Sequence, residues 1–424
     1  MLAAGRYDAT VRHRIVPTTV APPPWGDRPR DWRVVLEGVA ERTRRAVEGV
    51  DGTGLLLLPD NLLVSPEFVE SFVAIAGTRS GERALVAAMG PGVTATRYAG
   101  RSVMAPGPDG SLPVPLLLVP EGLDVGSVGT EAELLALAAD AEPVVVDAEE
   151  MTKEIPVNRA YADPGKGTLT IGGTRRLAVH LTHRSHLINA NHDTLAAEFI
   201  AAAGGSKLVL AIRYLVAVWL SWLPWRGRVV LSQVGKGCKI HPTAIVEACR
   251  LGDGVEIGAY SVVRACVLGD GAVVEDHSSV TLCIAEEGVR IGTFCKQFAS
   301  VMMARSHSTQ ELMQGCVLGR DAVTTAISWH TDVSFGRNVR VEAPAESESK
   351  LLDAGSRFLG CDVGHDTIVG FWVATAPGRF LPSHCTVVAD TPSVMKRIDP
   401  SIDPLDAGGA TLTVRDGVLV RREG

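Results

Sequence analysis

Histidines carry most of the chemistry this sequence offers, and their neighbours differ. His307 lies in Arg305-Ser306-His307-Ser308, so a guanidinium that can hold phosphate stands two residues from an imidazole that can exchange a proton. His330 precedes Asp332 by two residues, and a carboxylate at that spacing can orient the ring and raise its basicity. His277 follows the acidic pair Glu275-Asp276. His180, His183 and His186 recur every third residue, with His192 beyond; on a helix the first three share a face about 120° wide. Such a face suits a polar contact between domains, an anion once protonated, or a metal, with only Asp193 and Glu198 near enough to complete a ligand set. The 8 cysteines all fall in the C-terminal half, none in a CxxC pair, which excludes zinc-ribbon and thioredoxin chemistry.

The element that must position most of these groups is a repeat. At a step of seventeen residues Val246, Val263 and Val280 align, as do Cys249, Cys266 and Cys283, then Gly254, Gly271 and Gly288, then Ile257, Val274 and Ile291. Val234, Gly237 and Ile240 precede Leu251, Gly254 and Ile257 by the same step. Further on, Val363, Val369, Thr375, Leu381 and Val387 follow one another every six residues. An inward aliphatic every five or six residues, followed by a small or turn-tolerant residue, describes a prism with three short strands per coil. Helical winding would scatter these positions around the axis. One coil cannot bury its own core, so coils must stack, and the cysteine column packs as small apolar groups about 4.8 Å apart.

Residues 240–246, 251–258, 267–274 and 289–292 resemble the hexapeptide-repeat transferases, whose fold is a left-handed parallel β-helix. The resemblance covers residues 229–392. It implies a homotrimer with acyl-CoA or a similar thioester donor bound between neighbouring prisms. It also implies a histidine that takes the proton of an acceptor hydroxyl or amine, and backbone N–H groups that stabilise the oxyanion. Such a base belongs in a loop that interrupts the repeat. Register is lost at residues 301–310, returns at Cys316, and is lost again at 327–332. The candidate catalytic residues are therefore His307, His330 and His277, with Arg305 holding a phosphate of the donor. His241, His365 and His384 lie at regular corners and read as structural.

The N-terminal half alternates helical and apolar strand patterns, which argues for a mixed or parallel sheet covered by helices. Helices are expected over residues 32–50, 66–73 and from Thr130 to 139, where Glu131 and Glu133 suit the first turn. Strands are expected at 55–60, 84–88, 115–119 and 143–147. An α/β domain ahead of a β-helix is similar to the sugar-nucleotide pyrophosphorylases, over residues 32–150. That resemblance implies a Gly-rich phosphate loop, of which only Leu2-Ala-Ala-Gly-Arg6 is left, and a Mg²⁺-binding aspartate, placed here at Asp60. Gly165-Lys166-Gly167-Thr168 lacks the spacer of a phosphate loop, and 168–176 reads as a hairpin turning at Gly172-Gly173.

The organisation expected is an arm (1–31), an α/β nucleotidyltransferase-like domain (32–178), linker helices (179–228), a left-handed β-helix (229–395) and a tail with a short hairpin (396–424). A net charge of −7 argues against a general nucleic-acid binder. The apolar run at 208–225 is broken by Arg213 and Pro224, too short to span a bilayer, while Trp219, Trp222 and Trp225 form either a packing stripe or a peripheral membrane face. No secretory signal is visible and the thiols read as reduced, so a cytoplasmic protein is expected. The function expected is acyl transfer from acyl-CoA to a sugar or sugar-nucleotide acceptor. The alternatives are a non-catalytic trimeric scaffold, or a sugar-1-phosphate nucleotidyltransferase requiring Mg²⁺.

Overall fold

The computed structural model describes residues 11–18, 21–22, 24–79, 83–126, 128–156, 166–203, 228–343, 351–389, 397–402, 412–416 and 418–421. Residues 2–6, Gly165 and the 208–225 run with its tryptophans lie outside them.

Five strands build the N-terminal sheet: β1 (Arg12–Val16), β2 (Leu55–Pro59), β3 (Leu85–Met89), β4 (Leu112–Val119) and β5 (Glu142–Val146), in spatial order β1-β2-β4-β3-β5. β4 runs antiparallel to both neighbours, whereas β1/β2 and β3/β5 are parallel pairs, so the sheet is mixed. The helices are α1 (Val39–Val47), α2 (Pro66–Ala76), α3 (Val93–Ala99), α4 (Glu131–Asp140) and α5 (His186–Ala203). Ser65 caps α2 by accepting from Phe68 N, Pro66 occupies its first turn, and the helix buries Phe68, Val69, Phe72 and Val73. Thr130 and Glu133 close a reciprocal capping box on α4.

Three local expectations are corrected. Residues 12–16, expected in an arm, form the edge strand of the sheet, and Trp25 beyond it is buried. Thr168–Gly173 pairs antiparallel with Met151–Pro156, so Gly172 and Gly173 lie within a strand instead of a turn. A Cβ on Gly172 would stand 2.7 Å from Glu150 Oε1, so a side chain there would have to displace that carboxylate. His180 ends a short strand, Ala178–His180, while His186 starts α5, so the histidine series does not share a helix.

From Arg228 the chain winds into a solenoid of three parallel sheets, each of eight strands. The first face runs from Arg228–Val230 to Ala374–Thr375, the second from Gln233–Val234 to Phe380–Leu381, the third from Lys239–Ile240 to Thr386–Val387. Interior contacts repeat at a separation of 17 residues, tighten once to 16, jump by 45 and resume at 18. The 45-residue step contains an insertion with its own hairpin, Arg340–Glu342 paired to Leu351–Asp353. The cysteine column is continuous and buried: Cys249, Cys266, Cys283, Ser300, Cys316 and Cys361 lie at one inner corner, all thiols free. Burial pushes the Cys361 thiol up to about 12, as for a thiol packed in an apolar interior.

Most corners turn through a left-handed residue. Between second and third faces these are glycines in the earlier coils, Gly237, Gly254, Gly271 and Gly288, and then Arg305, Asp321, Asp366 and His384; between first and second they include Ala248, Ala265, Leu282 and Ala299. Between third and first they are Tyr260, His277, Phe294, Gln310, Ile327 and Trp372. A side chain in that conformation costs ~1–2 kcal/mol against glycine.

The N-terminal domain covers the second face. The outward residues there are Val267, Ile284, Val301 and Val317, and they join the domain's own leucines and valines in one hydrophobic cluster. Arg184, nearly fully buried, pairs with Asp362 and Glu342 and lies 5.0 Å from the Phe380 ring centre. Asp27 accepts from Arg320 at 2.7 and 2.9 Å and contacts His365 Nε2 at 3.0 Å. Burial pushes the Asp27 carboxyl up, but those two partners outweigh it and hold it well below the usual carboxylate range.

Candidate functional site

The third face is open, and its outward row is chemically mixed: Lys239, Glu256, Val273, Arg290, His307 and Val323 follow one another in register. Against this row lies a shallow cavity of about 500 Å³ lined by Lys239, His241, Glu256, Glu275, Asp276 and Arg290, among others. Arg290 bonds Glu275 at 3.1 Å, and Thr293 Oγ1 donates to the other Glu275 oxygen at 3.0 Å. Lys239 pairs with Glu256 at 2.6 Å. His307 occupies the next rung beyond Arg290, half-buried. Burial, and then the Arg290 charge, lower its pKa, with Glu275 opposing. Its ring makes no hydrogen bond among the described residues, so both nitrogens are available to a ligand. Sequence reasoning reached His307 by a wrong route: residues 301–310 are a regular coil shortened by one residue, not an interruption.

The other sequence candidates fall elsewhere. His330 is on the inward row of the first face, between Met313 and Thr375, and is buried. Its Nδ1 bonds Thr375 Oγ1 at 2.9 Å, with no bond to Asp332, and burial lowers its pKa to about 4. An acceptor outside the prism has no path to it, so it is excluded as a base. His277 stands exposed at the corner between third and first faces, stacked between Tyr260 at 5.1 Å and Phe294 at 5.2 Å. Arg305 lies at the opposite edge of the third face, in the glycine corner, and gives both its bonds to Asp321 at 2.7 and 2.6 Å. Its guanidinium is therefore engaged, and the phosphate-holding assignment is corrected. His365 is structural through Asp27, whereas His241, read as structural, lines the cavity. Arg290, Glu275 and His241 were missed, although Glu256, Val273, Arg290 and His307 follow the same seventeen-residue step and mark one outward row.

In the N-terminal domain Asp60 follows β2 and is buried. Its carboxylate accepts from Thr18 N at 2.9 Å and from Arg30 Nη1 at 3.0 Å. Both oxygens are already held, and the described residues contain no group of three His, Cys, Asp or Glu suited to a metal. The donor set does not fit Mg²⁺. Glu131 receives His180 Nε2 at 2.8 Å and Asn61 Nδ2 at 3.2 Å. His183 and His186 are buried beside Arg101 and Arg184; burial and the Arg184 charge take His183 down to about 3, and burial holds His186 well below its ordinary value. Neutral rings locked in an inter-domain joint serve packing, not anion or metal capture.

One interior stretch is unexpectedly polar. Glu311, buried at the inner side of the third-to-first corner, accepts from Thr324 Oγ1 and from Ser328 Oγ at 2.8 Å. Burial raises its pKa to about 7 in spite of those bonds. Gln297 and Ser308, also inside, bond each other at 3.0 Å.

Residues 224–296 match the family model described as GlmU-like, C-terminal hexapeptide. The C-terminal half is a hexapeptide-repeat β-helix. No curated protein sequence matches the chain. Among solved structures, one from Bacillus cereus, provisionally described as an acetyltransferase, is similar at 13% identity over 37% of this chain and 76% of its own, with a TM-score of 0.15. A likeness of that size carries no argument about this protein's chemistry. In the hexapeptide β-helix itself, the matched segment contains most of the cavity-lining row, Lys239 through Arg290, and stops short of His307. No helix among the described residues is long and apolar enough to cross a membrane.

Proposed function

We propose that the protein is a hexapeptide-repeat acyltransferase that moves an acyl group from acyl-CoA to a hydroxyl or amine of a sugar or sugar-nucleotide acceptor. The observation that carries the reading is the single row on the open third face, where Arg290, bonded to Glu275, and the unbonded imidazole of His307 follow the cavity. A lowered pKa keeps His307 neutral at neutral pH, the form that can accept a proton. The acceptor oxygen or nitrogen attacks the thioester carbonyl as its proton passes to His307. The tetrahedral intermediate then expels the CoA thiolate, which takes that proton back. Arg290, exposed and shared only with Glu275, meets a phosphate of the donor, and Glu256 and Asp276 accept hydrogen bonds from sugar hydroxyls. A homotrimer would place a neighbouring prism against this shallow face and exclude water from it.

The experiment is release of CoA thiol from a panel of acyl-CoAs against sugar and sugar-nucleotide acceptors. With an active pair in hand, His307→Ala should lower turnover at least ~100-fold, the lower range for loss of a general base. The rise in melting temperature caused by the donor should persist, because the imidazole acts on the acceptor. Full activity in His307→Ala would move the base to His241 in the same cavity. Absence of any acyl-CoA binding would favour a non-catalytic scaffold, a reading that Asp60 and Arg305, both already engaged, also support.

A further inference from the structure

A second cavity, of about 390 Å³, shares no lining residue with the one on the third face. It lies where the N-terminal domain meets the solenoid: Glu198 on its wall accepts from Arg42 of α1 at 3.0 Å and from Arg250 of the solenoid at 3.1 Å. Ligand cavities favour such junctions. Three guanidiniums line it, those of Arg42, Arg45 and Arg175. None is saturated. Arg45 gives only Nη2, to Glu37, and Arg175 only Nη2, to Glu67 at 2.6 Å, so Nε and Nη1 of each are free among the described residues. Arg42 keeps Nη1 free, its Nε and Nη2 being taken by Val34 O and Glu198. With Arg250 counted, the guanidiniums outnumber the carboxylates of Glu37, Glu67 and Glu198 and leave the cluster positive. The first turn of α2, at Pro66 and Glu67, adds the positive end of that helix. From α5, Thr194 lines the same cavity, 7% exposed, with a hydroxyl that has no hydrogen-bond partner among the described residues. Buried hydroxyls are paired as a rule, and on a helix the carbonyl four residues back can accept; this one uses neither outlet.

We propose that this cavity is a separate ligand site, for a phosphate monoester with an apolar body. A monocarboxylate brings one charge and two oxygens, which Glu37 and Glu67 already supply to Arg45 and Arg175. A phosphate monoester brings close to two charges and three terminal oxygens, enough to meet all three guanidiniums through their free nitrogens. The glutamates need not leave. They hold the arginines in place, and the Thr194 hydroxyl gains an acceptor. Beside the arginines the wall is hydrocarbon, from Leu63, Val64 and Leu177, so the organic part of an ester covers apolar surface that inorganic phosphate would leave bare. The volume lies within the range of small-molecule sites, about 300–1,000 Å³. Nothing in this site depends on the row of Arg290 and His307.

The test is isothermal titration calorimetry of the full chain, at fixed ionic strength, with phenyl phosphate, inorganic phosphate and benzoate. Wild type should bind phenyl phosphate at one site per chain, at least ~10-fold more tightly than either reference. Arg45→Ala combined with Arg175→Ala should lose that binding with an unchanged far-UV circular dichroism spectrum, because both side chains are more than half exposed. Thr194→Val should weaken binding about tenfold. It should not lower the melting temperature of the unliganded protein, since its hydroxyl has no partner to lose. Arg290→Glu should bind phenyl phosphate as wild type does, which keeps this result apart from any failure of the acyl-CoA panel. The proposal would be overturned by a wild type that ignores phenyl phosphate or holds benzoate or inorganic phosphate as tightly. Undiminished binding in the double alanine variant, or loss of binding in Arg290→Glu, would overturn it as well.

Discussion

The second and third faces of the solenoid are built from one repeat, yet their outward rows are opposites. Val267, Ile284, Val301 and Val317 face the N-terminal domain and vanish into a shared core. Glu256, Val273, Arg290 and His307, in equivalent positions one face on, stay in water and line or adjoin a cavity. Inward residues make the prism and say little else. The outward row decides whether a face is covered or chemical, and that row can be read rung by rung.

The largest expected effect comes from breaking the covered face. Arg184→Ala removes the buried guanidinium between Asp362 and Glu342 and strands Asp362 without its partner. Loss of one member of a buried pair costs ~3–5 kcal/mol. Urea unfolding should show that loss, whereas the same truncation at exposed Arg290 should leave stability nearly unchanged.

A somewhat smaller effect lies in the polar interior beneath the open corner. Folding raises the pKa of Glu311 from 4.5 to about 7. The protonated form is the one the interior accepts, so its contribution is complete below pH ~4.5 and is lost as pH rises through ~7. A shift of this size corresponds to about 3 kcal/mol. Denaturant midpoints should therefore fall between about pH 5 and pH 8 by that order, and Glu311→Gln should flatten the dependence. A wild-type profile as flat as the variant's would show that the carboxyl is not desolvated as described.

The smallest effect sharpens the division between the glycine corner and the open face. Arg305→Ala loses only an exposed, solvent-screened pair with Asp321, so stability should barely change and donor affinity should stay as it was. Weakened donor binding in that variant would return Arg305 to the site.

Much of this fold was legible because it repeats. Val246, Val263, Val280 and the cysteine column gave three-strand coils, and Val363 through Val387 gave the last ones. The polar interior was not legible as such: Gln297 and His330 occupy the valine column, and a polar residue in an aliphatic column reads as a broken repeat. That is why residues 301–310 looked irregular and His330 looked accessible. The true interruption, after His330, holds a hairpin that packs on the N-terminal domain, with Val341 buried and Glu342 bonded to Arg184. Contacts of that kind depend on which domain lies across the face, information no local period contains. The same holds for His183 and His186, whose spacing suggested a ligand face but whose burial follows from the joint they fill. Asp60 was placed correctly at a strand end, and only the structure reveals that Arg30 already occupies it.

On this reading the open third face binds the donor. A thermal-shift titration of wild type and Arg290→Glu with a panel of acyl-CoAs tests it directly. Wild type should gain melting temperature with rising acyl-CoA concentration, by the linkage of binding to the folded state, and Arg290→Glu should not. An equal rise in both proteins would place the donor elsewhere, and no rise in either would contradict acyl-CoA binding by this molecule.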